Sequence, residues 1–497
     1  MHYDAVIIGS GVSGMTAAII LAKEGRRVLV LEQHSRPGGL MQHFRRKALV
    51  FPTGVHRLGS LDEGQILSRY FQYLGVLDKL SLKRMSADGF EEYSFPGLRF
   101  RVPIGQEAFR ERLHQYFPRE KVAIDQFFTD MNRLVSQFPL YNLLNESERS
   151  GPVLASTSLA SYLDHLNCSR ELKGILSASN PLYGIPPSEC PLHTHFLVMD
   201  SFLNSSWRVD ECATPLAEAF VKSLLAHGGE VRCNALVTNI SASGGRAEGV
   251  VLANAEHIQT DLVIFTGHPR QILNLCPPGT FRPAFRQRLE DTQDTFGAFA
   301  LALSWGHPDC TLVQCDTFIY NSWDTEAQYR QKVVSLSQRP SMIYCCAMPQ
   351  KPNTEYAVTA LVGVAPEEMA PFELTRRGER SEAYQAAKRS LASRTLNVLQ
   401  EHWPEQAPYL KMVDACTPLT FRDYTLTPRG TAFGIIKSAG NFRHAQLSTQ
   451  TKVKNLFLAG QSIVQPGILG ALISGIYTCT VILGRNYFMH KIMEETS

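Results

Sequence analysis

The 497-residue chain is short of several features that would assign a class at once. Its 11 cysteines are scattered, with one adjacent pair at Cys345 and Cys346, no CxxC, and no Cys/His grouping at zinc-ligand spacing. That pattern excludes a disulfide scaffold and a zinc module, and fits reduced thiols in a cytoplasm. Neither sign of charge dominates: 49 Lys and Arg against 46 Asp and Glu leave a formal charge of +3, with no basic run or stripe. Nucleic acid is therefore not an expected partner. GxSxG, HExxH and EF-hand patterns are also missing, which speaks against a hydrolase, and no metal is expected. With 44% hydrophobic and 19% charged residues the composition is globular, and at roughly 100 to 200 residues per domain the length accommodates several domains.

Two apolar stretches need a reading before any fold is argued. Residues 5–22 are mostly apolar, but Asp4 precedes them, no basic region does, and glycines interrupt them at fixed spacing, so a targeting peptide is not expected. Residues 455–484 carry no charge at all. Gly460, Gln461, Ser462, Gln465, Pro466 and Gly467 fall within that stretch and would leave irregular backbone unsatisfied in lipid. A strand, a loop and a buried helix are the expectation there. The chain is expected in the cytoplasm, with contact at most to a membrane surface.

The first 40 residues carry the strongest positive signal. Asp4-Ala-Val-Ile-Ile is a short β-branched run, followed at once by Gly9, Ser10, Gly11, Val12, Ser13 and Gly14, then by Met15, Ala18, Ile19 and Ala22 at helical spacing. Gly9 would permit a tight turn, Gly11 the approach of a pyrophosphate to the backbone, and Gly14 close packing of helix on strand. The helix N-terminus adds free N–H donors and partial positive charge for phosphates. A second apolar strand, Arg27-Val-Leu-Val-Leu, ends in Glu32. A carboxylate there accepts hydrogen bonds from a ribose diol and repels a 2′-phosphate, which predicts an unphosphorylated adenosine, as in FAD or NAD.

Gly38 and Gly39 follow Glu32, and the sequence continues through Phe44, Ala48, Phe51, Pro52 and Gly54 to His56. Near the C-terminus come Gly460-Gln461-Ser462, then Pro466-Gly467-Ile468-Leu469-Gly470-Ala471 and Ser474-Gly475. Together these resemble the phytoene desaturase, carotenoid isomerase and retinol saturase group within the amine oxidase superfamily. Ala48 stands where that group has Gly and Pro52 where it has Asp, so the loop near the flavin ring is expected to differ in shape. The usual Gly-Gly before the helix ahead of Val237 is replaced around Val209, Asp210, Glu211 and Cys212.

The resemblance implies FAD rather than NAD. It implies a site made from Gly9 to Gly14, Glu32 with Gln33, Gly38 and Gly39 with Leu40 and Met41, Gly54 with Val55 and His56, and Val237 beside adenine. Gly460, Gln461, Gly467, Ile468 and Leu469 would complete it. The implied fold is α/β: a discontinuous Rossmann-type FAD-binding domain from 1–85, 206–280 and 440–497, with a mixed-sheet and helical substrate domain from 86–205 and 281–439.

The resemblance further implies an FAD-dependent oxidoreductase that desaturates, saturates, isomerises or reductively cyclises a long apolar polyene, isoprenoid or polyketide substrate. Its electrons would pass to or from NAD(P)H or a separate reductase, because only one complete dinucleotide motif is visible. An amine-oxidase-like flavoenzyme and a non-catalytic prenyl- or lipid-binding protein are the alternatives. His56 is the candidate acid, base or flavin contact, against a role in binding loop backbone. Tyr424 and Arg422 are candidates for orienting a polar substrate end, against a solvated or capping role. His193 and His195 have no Cys or carboxylate neighbour in sequence and are expected to be structural. Two apolar stripes, Phe127, Phe128, Met131, Leu134, Val135 and Phe138, and Leu192, Phe196, Met199, Phe202 and Leu203, are expected as helices serving the core or the wall of a ligand channel.

Overall fold

Short apolar runs with no alternation suit strands covered on both faces, and this is how they are used. In the computed structural model, which describes residues 2–144, 156–213, 215–330, 340–348, 350 and 354–496, Glu230–Arg232, Val28–Leu31, Ala5–Ile8, Val263–Phe265 and Leu456–Leu458 form one sheet in that order, every pair parallel. Its strands come from widely separated parts of the chain. The helices Val12–Lys23, Leu216–Ala226 and Gly467–Leu483 pack on one face. On the other lies an apolar cluster shared with a second sheet built from His2–Tyr3, His257–Thr260, Arg246–Leu252 and Val237–Ser243.

Helix Val12–Lys23 is buried along nearly its whole length. Its small residues let it lie against Gly467–Leu483: a Cβ on Gly475 would sit 2.5 Å from the Ser13 carbonyl, and Ser13 Oγ donates to the Ala471 carbonyl at 2.5 Å. The uncharged stretch 455–484 is thus the edge strand Leu456–Leu458, a loop, and a helix partly covered by the first one. Among the described residues no helix is long and apolar enough to cross a membrane.

A seven-stranded mixed sheet stands beside this layered unit, in the order Leu410–Cys416, Gly297–Trp305, Tyr356–Val364, Met342–Met348, Asp316–Tyr320, Glu91–Phe95, Leu98–Val102. The single parallel pairing in it joins Asp316–Tyr320 to Glu91–Phe95. Glu382–His402 covers one face with an apolar cluster that includes Cys345. Toward the other, Lys121–Val135 and Leu192–Asn204 build a helical cluster with Phe318, Tyr344 and Cys346. Cys345 and Cys346 are both fully buried packing residues.

Candidate active site

In a doubly wound sheet the carboxyl ends of the strands form the ligand crevice. Strand Ala5–Ile8 runs out into Gly9, whose N–H donates to the Leu31 carbonyl at 2.9 Å, so the first turn is hung on the neighbouring strand. A Cβ on Gly14 would lie 2.1 Å from the Gly9 carbonyl oxygen; only glycine lets the helix start so close to the turn. Gly11 is the reverse case, since a Cβ there would meet nothing within 4 Å. Its open side belongs to a cavity. Glu32 is 7% exposed; its Oε2 accepts from the N–H and the hydroxyl of Ser10, and its Oε1 accepts from the His34 N–H at 2.8 Å. Ser10 Oγ in turn accepts from the Gly38 N–H at 2.8 Å. Two motifs that are separate in sequence are therefore one hydrogen-bonded unit.

The cavity has a volume of about 1810 Å³ and is continuous from this turn to the seven-stranded sheet. Of the residues expected in a cofactor site, Gly9, Ser10, Gly11, Val12, Ser13, Glu32, Gln33, Gly39, Leu40, Met41, Gly54, Val55, His56, Val237, Gly460, Gln461, Gly467, Ile468 and Leu469 all line it. Gly14 and Gly38 do not: Gly14 lies behind the turn, and a Cβ on Gly38 would strike that of Ala217 at 2.4 Å. Beyond the glycine-rich end the walls turn apolar, with Phe138, Leu197, Val198, Phe202, Phe318 and Met342. Helix Leu192–Asn204 serves both purposes left open for it, giving Leu192, Phe196 and Leu203 to the core and Leu197, Val198 and Phe202 to the cavity. Of the other stripe, Phe127, Phe128, Met131, Leu134 and Val135 in Lys121–Val135 are core, whereas Phe138 lies beyond the end of that helix and lines the cavity.

With the strand order, the glycine turn and the continuous cavity in place, the sequence profile of the family described as "Flavin containing amine oxidoreductase" matches residues 12–483. The chain belongs to this family. It is similar to human all-trans-retinol 13,14-reductase, 28% identical over 98% of this chain and 86% of that protein. It is also similar to the neurosporene-forming phytoene desaturase of Cereibacter sphaeroides, 23% identical over 94% of this chain and 92% of that one. Prolycopene isomerase 2 of an Oncidium hybrid cultivar matches 30% of this chain and 24% of its own length, at 32% identity. The fold is shared with an oxidoreductase from Methanosarcina mazei, with a TM-score of 0.68 and 14% identity over 96% of this chain and 100% of that one. A putrescine oxidase variant aligns with a TM-score of 0.63 and 18% identity over 97% and 99% of the two chains. As a flavin-containing amine oxidoreductase by family, the protein is an FAD-dependent oxidoreductase.

The residues present fit that cofactor. Gly11 leaves its side of the cavity open where a pyrophosphate approaches backbone, and Glu32, though it already accepts three bonds, keeps lone pairs free for a diol.

The candidate chemical side chains are placed less evenly. His56 lines the cavity and is half-buried. Its carbonyl accepts from Arg208 Nη1 at 2.9 Å, its ring centroid is 5.7 Å from that of Tyr344, and its buried Nδ1 has no hydrogen-bond partner. Burial pushes its pKa down to about 4, and Arg208 and Arg57 act in the same direction while Asp316 opposes. At neutral pH it is an uncharged acceptor or donor, not an acid. Arg422 does not line the cavity; its guanidinium is bound to Asp423 and to the carbonyls of Glu373 and Thr375. Tyr424 does line it but is 37% exposed. Its ring stands edge-on to His34 at 5.2 Å and its carbonyl accepts from Gln33 Nε2 at 2.9 Å, so its partners belong to the Glu32 end.

The two histidines expected to be structural part company. His195 is fully buried, with Nδ1 and the Tyr183 hydroxyl 2.7 Å apart, and does not line the cavity. His193 does line it, which corrects the expectation. Sequence reasoning also missed Arg57, Tyr344 and Lys437, all in the cavity wall. The signal for the first was present in the adjacency of Arg57 to His56. Lys437, a charge after Gly434-Ile-Ile, reads as a surface residue in sequence.

Burial also lowers His193 to about 4 and His195 to about 3. Because these folded values lie below the ordinary 6.5, the unfolded chain takes up protons first as pH falls. Stability that is present above about pH 6.5 is then lost progressively toward pH 4, by up to about 1.4 kcal/mol per unit for each such group. Thermal melts between pH 7.5 and pH 4.5 are expected to show this fall, and His56→Gln is expected to flatten it.

Proposed function

We propose that the protein transfers hydrogen at C=C bonds of a long, conjugated, apolar molecule, in the saturating direction. The observation that carries this reading is the single cavity joining the glycine-rich turn to an aromatic and aliphatic chamber. The similarity to a retinol 13,14-reductase across nearly the whole chain supports the direction, whereas the prolycopene isomerase matches a third of it or less. In this reading Gly9 to Ser13 and Glu32 hold the adenosine diphosphate half, Val237 faces adenine, and Gly460, Gln461 and Gly467 to Leu469 hold the flavin half. Bound FAD supplies a two-electron centre that exchanges a hydride with a substrate carbon. The chain's own part is to bind and orient the polyene between Phe138, Phe202 and Phe318, to exclude water, and to keep an uncharged His56 beside it.

Purified protein, reduced anaerobically with dithionite and mixed with all-trans-retinol or a longer polyene, is expected to regain oxidised-flavin absorbance as the polyene band shifts to shorter wavelength. Reoxidation without loss of conjugation, or oxidised flavin that a primary amine bleaches instead, would replace this reading. Glu32→Ala is expected to weaken FAD retention by roughly tenfold to a hundredfold, the worth of a charge-assisted hydrogen bond of about 1.5–3 kcal/mol. Counting flavin per chain after gel filtration measures it.

A further inference from the structure

An ammonium taken out of water costs several kcal/mol unless a carboxylate or a full set of acceptors replaces its hydration. Lys437 is 6% exposed and lines the cavity. Of the three donors an ammonium carries, one is used in a hydrogen bond the structure gives, 2.5 Å to the Val464 carbonyl. Among the described residues no carboxylate acts on its charge; burial alone does. His193 is close enough to feel that charge. It is 2% exposed, stacked on Phe138 at 5.5 Å and edge-on to Phe442 at 4.9 Å, with its buried Nδ1 unpartnered. Gln465 Nε2 donates to Thr194 Oγ1 at 2.9 Å, which ties the residue after His193 to the residue after Val464, the partner of Lys437, so an amine with donors to spare and an imidazole nitrogen with no partner share one stretch of wall, framed by aromatic rings.

A buried amine with no anion beside it, kept largely neutral by burial, is a site for an anion brought by a ligand. One amine and one neutral imidazole, with no guanidinium joining them, match the two oxygens of a single carboxylate better than a phosphate. We propose that Lys437 and His193 hold the terminal carboxylate of the substrate, which is therefore a long conjugated acid rather than the corresponding alcohol. This rests on the reading of the protein as a polyene oxidoreductase and names its substrate class. The pairing has an electrostatic consequence. Burial holds the amine at about 7, so at pH 8 it is roughly one-tenth protonated. A bound carboxylate favours the charged form and draws most of one proton from solution. His193, pushed down to about 4 by burial and by Lys437, stays neutral throughout and contributes no proton.

Holoprotein is titrated calorimetrically at pH 8 with all-trans-retinoic acid and with all-trans-retinol, each in two buffers of different ionisation heat. The acid is expected to bind at least about tenfold tighter, a difference of about 1.4 kcal/mol, with uptake of most of one proton. The alcohol should bind with none. Lys437→Met should abolish both the preference and the uptake while retinol binds as before, and Lys437→Arg should keep the preference. Equal affinity for acid and alcohol overturns the proposal, as does uptake that survives in Lys437→Met. So does a Lys437→Met protein whose flavin reduction potential moves while the preference for acid stays. Failure of both ligands to bind sinks the polyene reading itself and this proposal with it; binding without preference sinks only the proposal.

Discussion

Asp316→Ala is expected to destabilise the protein by roughly 3–5 kcal/mol, the cost of leaving a buried charge without its partner. Asp316 is 0% exposed and accepts from Arg57 Nη1 at 2.8 Å, Arg208 Nη2 at 2.5 Å and the Tyr344 hydroxyl at 2.6 Å. Arg57 also donates to Glu91, which accepts from the Tyr93 hydroxyl as well. Two guanidiniums and two carboxylates thus cancel inside the protein. Arg208 also donates to the carbonyls of Val313, His56 and Leu312. Removing Asp316 leaves two buried cations facing Glu91 alone.

The damage should not stop at stability. Arg208 carries the His56 carbonyl, so a disturbed Arg208 moves the ring that faces the cavity. Urea unfolding of Asp316→Ala, Arg208→Met and the double variant gives the coupling directly. The double variant is expected to be less destabilised than Asp316→Ala alone, because it leaves no cation without an anion. A loss below about 1 kcal/mol in Asp316→Ala, the range of an exposed pair, would show that water reaches these charges.

This network was not legible in the sequence, for a physical reason. Its partners lie 34, 108 and 259 residues apart, and nothing local marks a charged residue as one whose counterion arrives with a distant strand. The dinucleotide turn was legible because its strands, glycines and acid follow in order within residues 4–39, so that the contacts of Gly9 with Leu31, Glu32 with Ser10 and Gly38 with Ser10 close on one continuous motif. Arg422 shows the opposite error. As a lone Arg before Asp423 it looked available, but the carbonyls of Glu373 and Thr375, nearly 50 residues away, take its donors. Lys437 escaped notice and His193 was expected to be structural because burial, which gives both their chemistry, belongs to the packing of Leu192–Asn204 against the loop after Leu456–Leu458 rather than to either segment. Helix periodicity named the apolar face of Leu192–Asn204 but could not say that its flank would border a cavity.

Gly14→Ala is expected to cost the protein its flavin. The new Cβ would stand 2.1 Å from the Gly9 carbonyl and 3.3 Å from Ile7 Cγ2, both parts of the buried strand and turn, so backbone must move. Overpacking of that kind costs about 1–3 kcal/mol. Because the turn it displaces also carries Ser10 and, through it, Glu32 and Gly38, the displaced turn also meets the cofactor less well, and a coupling of about 1–3 kcal/mol between the two is expected to weaken FAD binding roughly 5- to 150-fold. Gly11→Ala separates packing from ligand contact. Its Cβ meets no protein atom within 4 Å and projects into the cavity. The flavin-free form of Gly11→Ala should therefore melt with the flavin-free wild type, while flavin-free Gly14→Ala should melt lower. If Gly11→Ala retains FAD as the wild type does, the pyrophosphate does not approach the backbone there, and the assignment of this turn to the cofactor falls even though the fold around it stands.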